Sequence, residues 1–154
     1  MELLVVIALL VLGGILVKFH FDRVEERNKR TEAQSDLKQI AEAVDELYGD
    51  TNIDPGHVSR NPCVRYPEMF LRDCRAGLLC TDGAFPNWNG PYLEDLPKDP
   101  WGGRYYFNAD YLCVEEALGC EEVPNTTKVR AILSGGPDGN FKTRSNNIVH
   151  IICK

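Results

Sequence analysis

The chain opens with Leu3–Val17, LLVVIALLVLGGILV, 15 consecutive residues without a charge or strongly polar group. As a helix rising 1.5 Å per residue this run spans roughly 22 Å, short of the roughly 30 Å hydrocarbon core of a bilayer. Beyond Lys18-Phe19-His20-Phe21 the pattern turns polar, and neither Pro nor Gly interrupts it before Gly49. Within that stretch apolar residues fall at Leu37, Ile40, Ala41, Val44, Leu47 and Tyr48, the spacing of one helix face. Glu25–Lys29 and Glu26–Arg30 are acid-before-base pairs four residues apart, which support a solvated helix. Gly49 followed by Asp50, Asn52 and Pro55 reads as a stop. The pattern therefore predicts one helix from the apolar run to about residue 48, on the order of 70 Å long. Gly13-Gly14 is its expected flexible point, because each glycine costs about 1 kcal/mol against Ala.

After the helix the periodicity fades. Residues 50–103 hold most of the prolines with many Gly and Asn, so they read as mostly irregular, with a short helix expected in 69–79. Strand-like runs follow at 104–108, 111–115, 129–134 and 148–153, with Asn108-Ala109-Asp110 as a hairpin turn. The expected fold class is α+β: a long N-terminal helix whose amphipathic half packs on an antiparallel sheet of three or four strands. Three units are expected: 1–21, an apolar segment; 22–49, the amphipathic continuation of the same helix; and 50–154, a loop-rich globular domain.

Charge sharpens that division. Residues 1–21 carry one acid, Glu2, and one base, Lys18, so the formal charge of −6 lies entirely beyond them. A net-acidic outer part argues against direct nucleic-acid binding, which needs clustered Lys and Arg. Composition excludes disordered, collagen-like and wholly membrane-embedded proteins. A cleaved secretory signal is disfavoured, since the run starts with Glu2 and no small-x-small cleavage site follows.

The six cysteines are Cys63, Cys74, Cys80, Cys113, Cys120 and Cys153. An even count with no C-x-x-C pair favours disulfides in an extracytoplasmic compartment over zinc. Of the 15 pairings open to six cysteines, the short loops Cys74–Cys80 and Cys113–Cys120 are preferred, leaving Cys63 with Cys153. Asn125-Thr126-Thr127 is an N-x-T sequon in a polar loop, a candidate glycosylation site. Trp88, Tyr92, Trp101, Tyr105, Tyr106 and Phe107 are expected to fill the core and pin the 86–103 loop. No G-x-S-x-G, phosphate-cradling glycine loop or H-E-x-x-H occurs, and nothing points to an enzyme.

Glu2–Val17 resembles the processed N-terminus of type IV pilins and type II secretion pseudopilins, in which Glu-Leu opens a hydrophobic helix just behind a methylated first residue. Gly90-Pro91-Tyr92-Leu93, Leu96-Pro97-Lys98-Asp99-Pro100-Trp101-Gly102 and Tyr105-Tyr106 are similar to a stretch of the major pseudopilins. Ser134-Gly135-Gly136-Pro137-Asp138-Gly139 resembles their S-x-G-P-D-G turn. The resemblance implies a pilin-like fold and a subunit that polymerises with itself after processing by a prepilin peptidase. Before assembly the helix would sit in the cytoplasmic membrane. In the filament, Leu3, Leu4, Val5, Val6, Ile7, Leu9, Leu10, Val11, Leu12, Ile15 and Leu16 would form the core. There Glu2 would meet the N-terminal amine of a neighbouring subunit, and an acid that is costly in an apolar bundle favours the one register that supplies its partner. Because Glu2 stands about three residues nearer the start than in the processed family, a few further residues are expected ahead of it.

The resemblance also implies calcium in the 134–148 loop, with Ser134, Asp138, Asn146 and Asn147 as candidate ligands. A hard cation wants six to eight oxygens, preferably several charged. Here Asn residues replace the family's acids, and Lys142 and Arg144 add positive charge, so a plain turn is the preferred expectation. Two filament readings compete. The pseudopilin motifs favour a periplasmic secretion pseudopilus, whereas three disulfides and the depleted calcium loop favour an extracellular type IV pilus for attachment, motility or DNA uptake, which is narrowly preferred. A membrane-tethered, disulfide-stapled binding module that never polymerises is the third alternative.

Overall fold

The computed structural model describes residues 2–59 and 68–153, except for a few side chains within them. One helix, α1 (Glu2–Thr51), takes up 50 residues, roughly 75 Å of rod. It continues past Gly49 because the terminating signal lies further on. Asn52 adopts the left-handed region at φ 56°, its N–H reaches the Tyr48 carbonyl at 2.8 Å, and Thr51 Oγ1 donates to the Leu47 carbonyl at 2.7 Å. A left-handed Asn is a helix-ending device of the same kind as Gly, so the expected stop at about residue 48 moves to Thr51.

Four strands form one antiparallel sheet in the order β1-β2-β3-β4: β1 (Met69–Phe70), β2 (Tyr105–Leu112), β3 (Lys128–Ser134) and β4 (Ile148–Cys153). The two strands expected at 104–108 and 111–115 are a single strand, β2. Between Asn108 and Tyr111 its register shifts: Asn108 pairs with Ala131 and Tyr111 with Val129, so Ala109 and Asp110 face Arg130 alone. The expected hairpin turn is thus a β-bulge, one extra residue absorbed without leaving the sheet. Asp110 N–H donates to Asn108 Oδ1 at 2.9 Å, the local bond that gave the segment its turn-like sequence. The short helix expected in 69–79 is instead β1 followed by a single 3-10 turn, Cys74–Ala76. Asp73 caps that turn, Gly77 ends it at φ 79°, and the Cys74–Cys80 bridge closes it.

The sheet is covered on both faces. On one, α1 lays down Ala33, Leu37, Ile40, Ala41, Val44 and Leu47 against Tyr105, Phe107, Ile132 and Ile148. On the other, the 113–123 loop and Phe141 cover Val129, Ala131, Leu133 and Val149. The Cys113–Cys120 bridge, itself buried, holds that second cover in place. At the foot of α1, Arg130 of β3 meets Asp54 at 3.1 Å with both side chains fully buried, and Arg130 Nη2 donates to the Ser59 carbonyl at 3.0 Å. A buried charge of this kind is tolerated only when paired. It fixes the turn after the helix to the sheet.

Candidate assembly surface

Ahead of Glu26, every described side chain of α1 is exposed. Leu3, Val5, Val6, Ile7, Leu9, Leu10, Val11, Leu12, Ile15, Leu16, Val17, Phe19, Phe21 and Val24 are all exposed, Leu3 at 73% and Val24 at 39%. Burying one such side chain is worth about 1.5–3 kcal/mol, so water is not the environment this rod is built for. The helix is long and apolar enough to cross a membrane. Gly13 and Gly14 lie inside the unbroken helix, and a Cβ at either would meet nothing within 4 Å. The side chains of Glu2 and Leu4, proposed for the register and the core, lie outside the described set.

From Glu26 onward the globular part is clamped onto α1 through acids on the helix. Trp101 Nε1 donates to Glu26 Oε2 at 3.1 Å, Tyr105 OH to Asp36 Oδ2 at 2.6 Å, and Tyr92 OH to Asp50 Oδ2 at 2.9 Å. Those three anchors follow the helix for 24 residues, roughly 36 Å. Glu26 also accepts from Arg30 at 2.9 Å, so one carboxylate serves both the helix and the loop. Burial, and then the Asp36 carboxylate, push the Tyr105 phenol far above its ordinary value, which keeps it a neutral donor. Away from the helix, Trp88 Nε1 donates to the Gly77 carbonyl at 2.7 Å and ties two loops together.

Asp99 holds the loop that carries Trp101. Buried to 3% exposure, its carboxylate accepts from Gly103 N–H at 2.6 Å, Trp101 N–H at 3.2 Å and Ser134 Oγ at 2.5 Å. Ser134 in turn accepts from Gly136 N–H at 3.0 Å. The Leu96–Gly102 and Ser134–Gly139 segments, separate in the sequence, thus share one buried hydrogen-bond network. Gly136 sits at φ 65° with the Asn146 carbonyl 2.0 Å from where a Cβ would stand, so only glycine fits the turn.

Of the four residues considered for calcium, two are bonded to other partners. Ser134 is turned inward to Asp99, and buried Asn147 donates to Tyr111 OH at 3.0 Å and the Phe141 carbonyl at 2.8 Å. Asp138 and Asn146 do meet, at 3.2 Å on the surface. The Asn140 backbone N–H and then Asn146 lower the Asp138 carboxyl below its usual range. No cluster of three metal-binding acids, His or Cys occurs among the described residues.

The disulfides follow the preferred pairing where they are described: Cys74–Cys80 and Cys113–Cys120, with Cα separations of 4.8 and 5.8 Å. Cys63 and the side chain of Cys153 lie outside the described residues. Asn125 is exposed in the 124–127 turn. Of the aromatics, Tyr105 and Phe107 are buried, Trp88, Tyr92 and Trp101 are half-buried around the helix, and Tyr106 packs on Phe141 on the far face at 5.1 Å between ring centroids.

Sequence reasoning did not foresee the helix acids as anchors or the Asp99–Ser134 bond. Asp36, an acid beside the apolar stripe, marks a polar contact at the edge of the packed face without naming its partner.

Residues 64–113, from just before β1 to just past β2, match the family model of type II secretion system (T2SS), protein G. The match takes in Asp99, Trp101 and Tyr105, and it supports a pilin or pseudopilin type of subunit. No curated protein and no solved structure matches the chain.

Proposed function

We propose that this chain is a structural subunit that polymerises into a helical filament, with the bare half of α1 as the filament core and the sheet domain as its wall. The observation that carries the reading is the contrast along one helix. From Ala33 to Leu47 one face is buried against the sheet, and among the described residues fourteen large apolar side chains from Leu3 to Val24 stand exposed. Before assembly the same segment would hold the subunit in the cytoplasmic membrane, where a prepilin peptidase would process it and the assembly machinery would extract it. Glu2 would set the register between neighbouring helices.

The family match over 64–113 favours the secretion pseudopilus, and the work is then mechanical, with no bond-making step. A second reading, an extracellular type IV pilus, draws its support from the wall. Two disulfides and the buried Asp54–Arg130 pair staple a domain suited to exposure outside the cell. Deleting the gene in its host separates the two. Loss of exported proteins from the medium with cell-surface filaments unchanged fits a pseudopilus. Loss of surface filaments with export intact fits a pilus, and neither loss would contradict both.

A further inference from the structure

The two outer edges of the sheet carry grooves of opposite charge. Along β4, a groove of about 540 Å³ runs between α1 and the 119–123 turn, floored by Leu37, Val123, Ile151 and Ile152 and rimmed by Glu121 and Glu122. Both glutamates are exposed, and Glu42 and Asp45 of α1 stand close enough to act on His150 in the same groove, with Lys38 opposing them. Beside β1, at the other edge, a groove of about 250 Å³ is floored by Phe70, Leu96 and Pro97, and its charged lining is Arg72, Lys98 and Arg104. Asp95 neutralises Arg72 at 3.0 Å, so the surplus positive charge rests on exposed Lys98 and Arg104. The Arg104 guanidinium lies 4.6 Å from the centre of the Phe70 ring, which holds it at the groove mouth.

We infer that the acidic β4 groove receives the Lys98–Arg104 edge of a second copy of this chain, making a head-to-tail contact between adjacent wall domains. The inference rests on the filament reading. Copies that point their apolar helices into a common core share one orientation, so each shows its neighbour the opposite side of its sheet. A contact between two different surfaces of the same molecule propagates as an open helix. Identical domains with a net charge of −6 repel one another. A contact that sets Lys98 and Arg104 against Glu121 and Glu122 offsets that repulsion and suppresses other lateral registers.

Charge reversal in the full-length chain, produced with its assembly machinery, tests the contact. Glu121→Lys/Glu122→Lys and, separately, Lys98→Glu/Arg104→Glu should each lower the yield of sheared filaments by about tenfold or more, with membrane-inserted subunit levels unchanged. All four changes together should recover most of the loss. A Glu122→Cys/Lys98→Cys chain should, on oxidation, give a ladder of covalent multimers beyond the dimer. Filaments as abundant after either reversal as in the parent chain, or a cysteine-pair chain that gives no ladder, would overturn this contact while leaving the filament reading intact. No filaments from the wild-type chain would overturn both.

Discussion

At Asp99 a single carboxylate holds three donors in a buried site, and its removal leaves all of them without a partner. Asp99→Ala should cost about 3 kcal/mol, a fall of roughly 10–20 °C in Tm for a domain of this size. Ser134→Ala removes one of the three bonds and should cost about 1 kcal/mol. Because the two residues share that bond, the double variant should lose less than the sum of the singles. Thermal melts of the full chain in detergent, followed by near-ultraviolet circular dichroism, measure all three; strictly additive losses would contradict the shared network. The same loop governs calcium. With Ser134 turned to Asp99 and Asn147 to Tyr111 and Phe141, millimolar calcium against chelator should leave the melt in place. An upward shift of several degrees would show that the loop rearranges to bind it.

Between elements, the contact of α1 with β4 carries a pH dependence. Burial lowers the His150 pKa below its ordinary 6.5. Asp45 and Glu42 oppose that shift, Lys38 reinforces it, and burial is the largest influence. The unfolded chain therefore binds the proton more readily, so stability rises with pH through the interval below 6.5 and falls as the pH drops through it. In melts across that interval, His150→Gln should flatten the slope relative to the parent chain. Identical slopes would show that His150 contributes nothing.

The elements themselves were legible where one period dominated. The 3.6-residue stripe from Leu37 to Leu47 marks the buried helix face, and the short β-branched run in 148–153 marks β4 to the residue. Legibility ended where a local signal met a tertiary one. Asn108-Ala109-Asp110 has turn chemistry, yet pairing with β3 on both sides turns it into a bulge. The 69–79 run has helical residues, yet Gly77 and the bridge to Cys80 stop it after one turn. The anchors from Glu26, Asp36 and Asp50 were unreadable for a different reason: their partners lie 42 to 75 residues away.

For the whole molecule, one helix is divided between two surroundings. Its lower half belongs to the domain, tied by Trp101, Tyr105 and Tyr92. Its upper half, from Leu3 to Val24, is exposed along its described side chains, and on the proposed reading it meets lipid or other copies of itself. An acid at position 2 is costly in either setting unless a partner is supplied. Glu2→Val should thus leave subunits inserted in the membrane at parental levels while filaments fall to a small fraction. The most direct measurement is electron microscopy of material sheared from cells that make the chain with its assembly machinery, with the subunit located by antibody. The account predicts thin, uniform filaments labelled along their length for the parent chain and almost none for Glu2→Val. Labelled protein found only as membrane-bound single subunits in the parent, or filaments as abundant with Val at position 2, would contradict it.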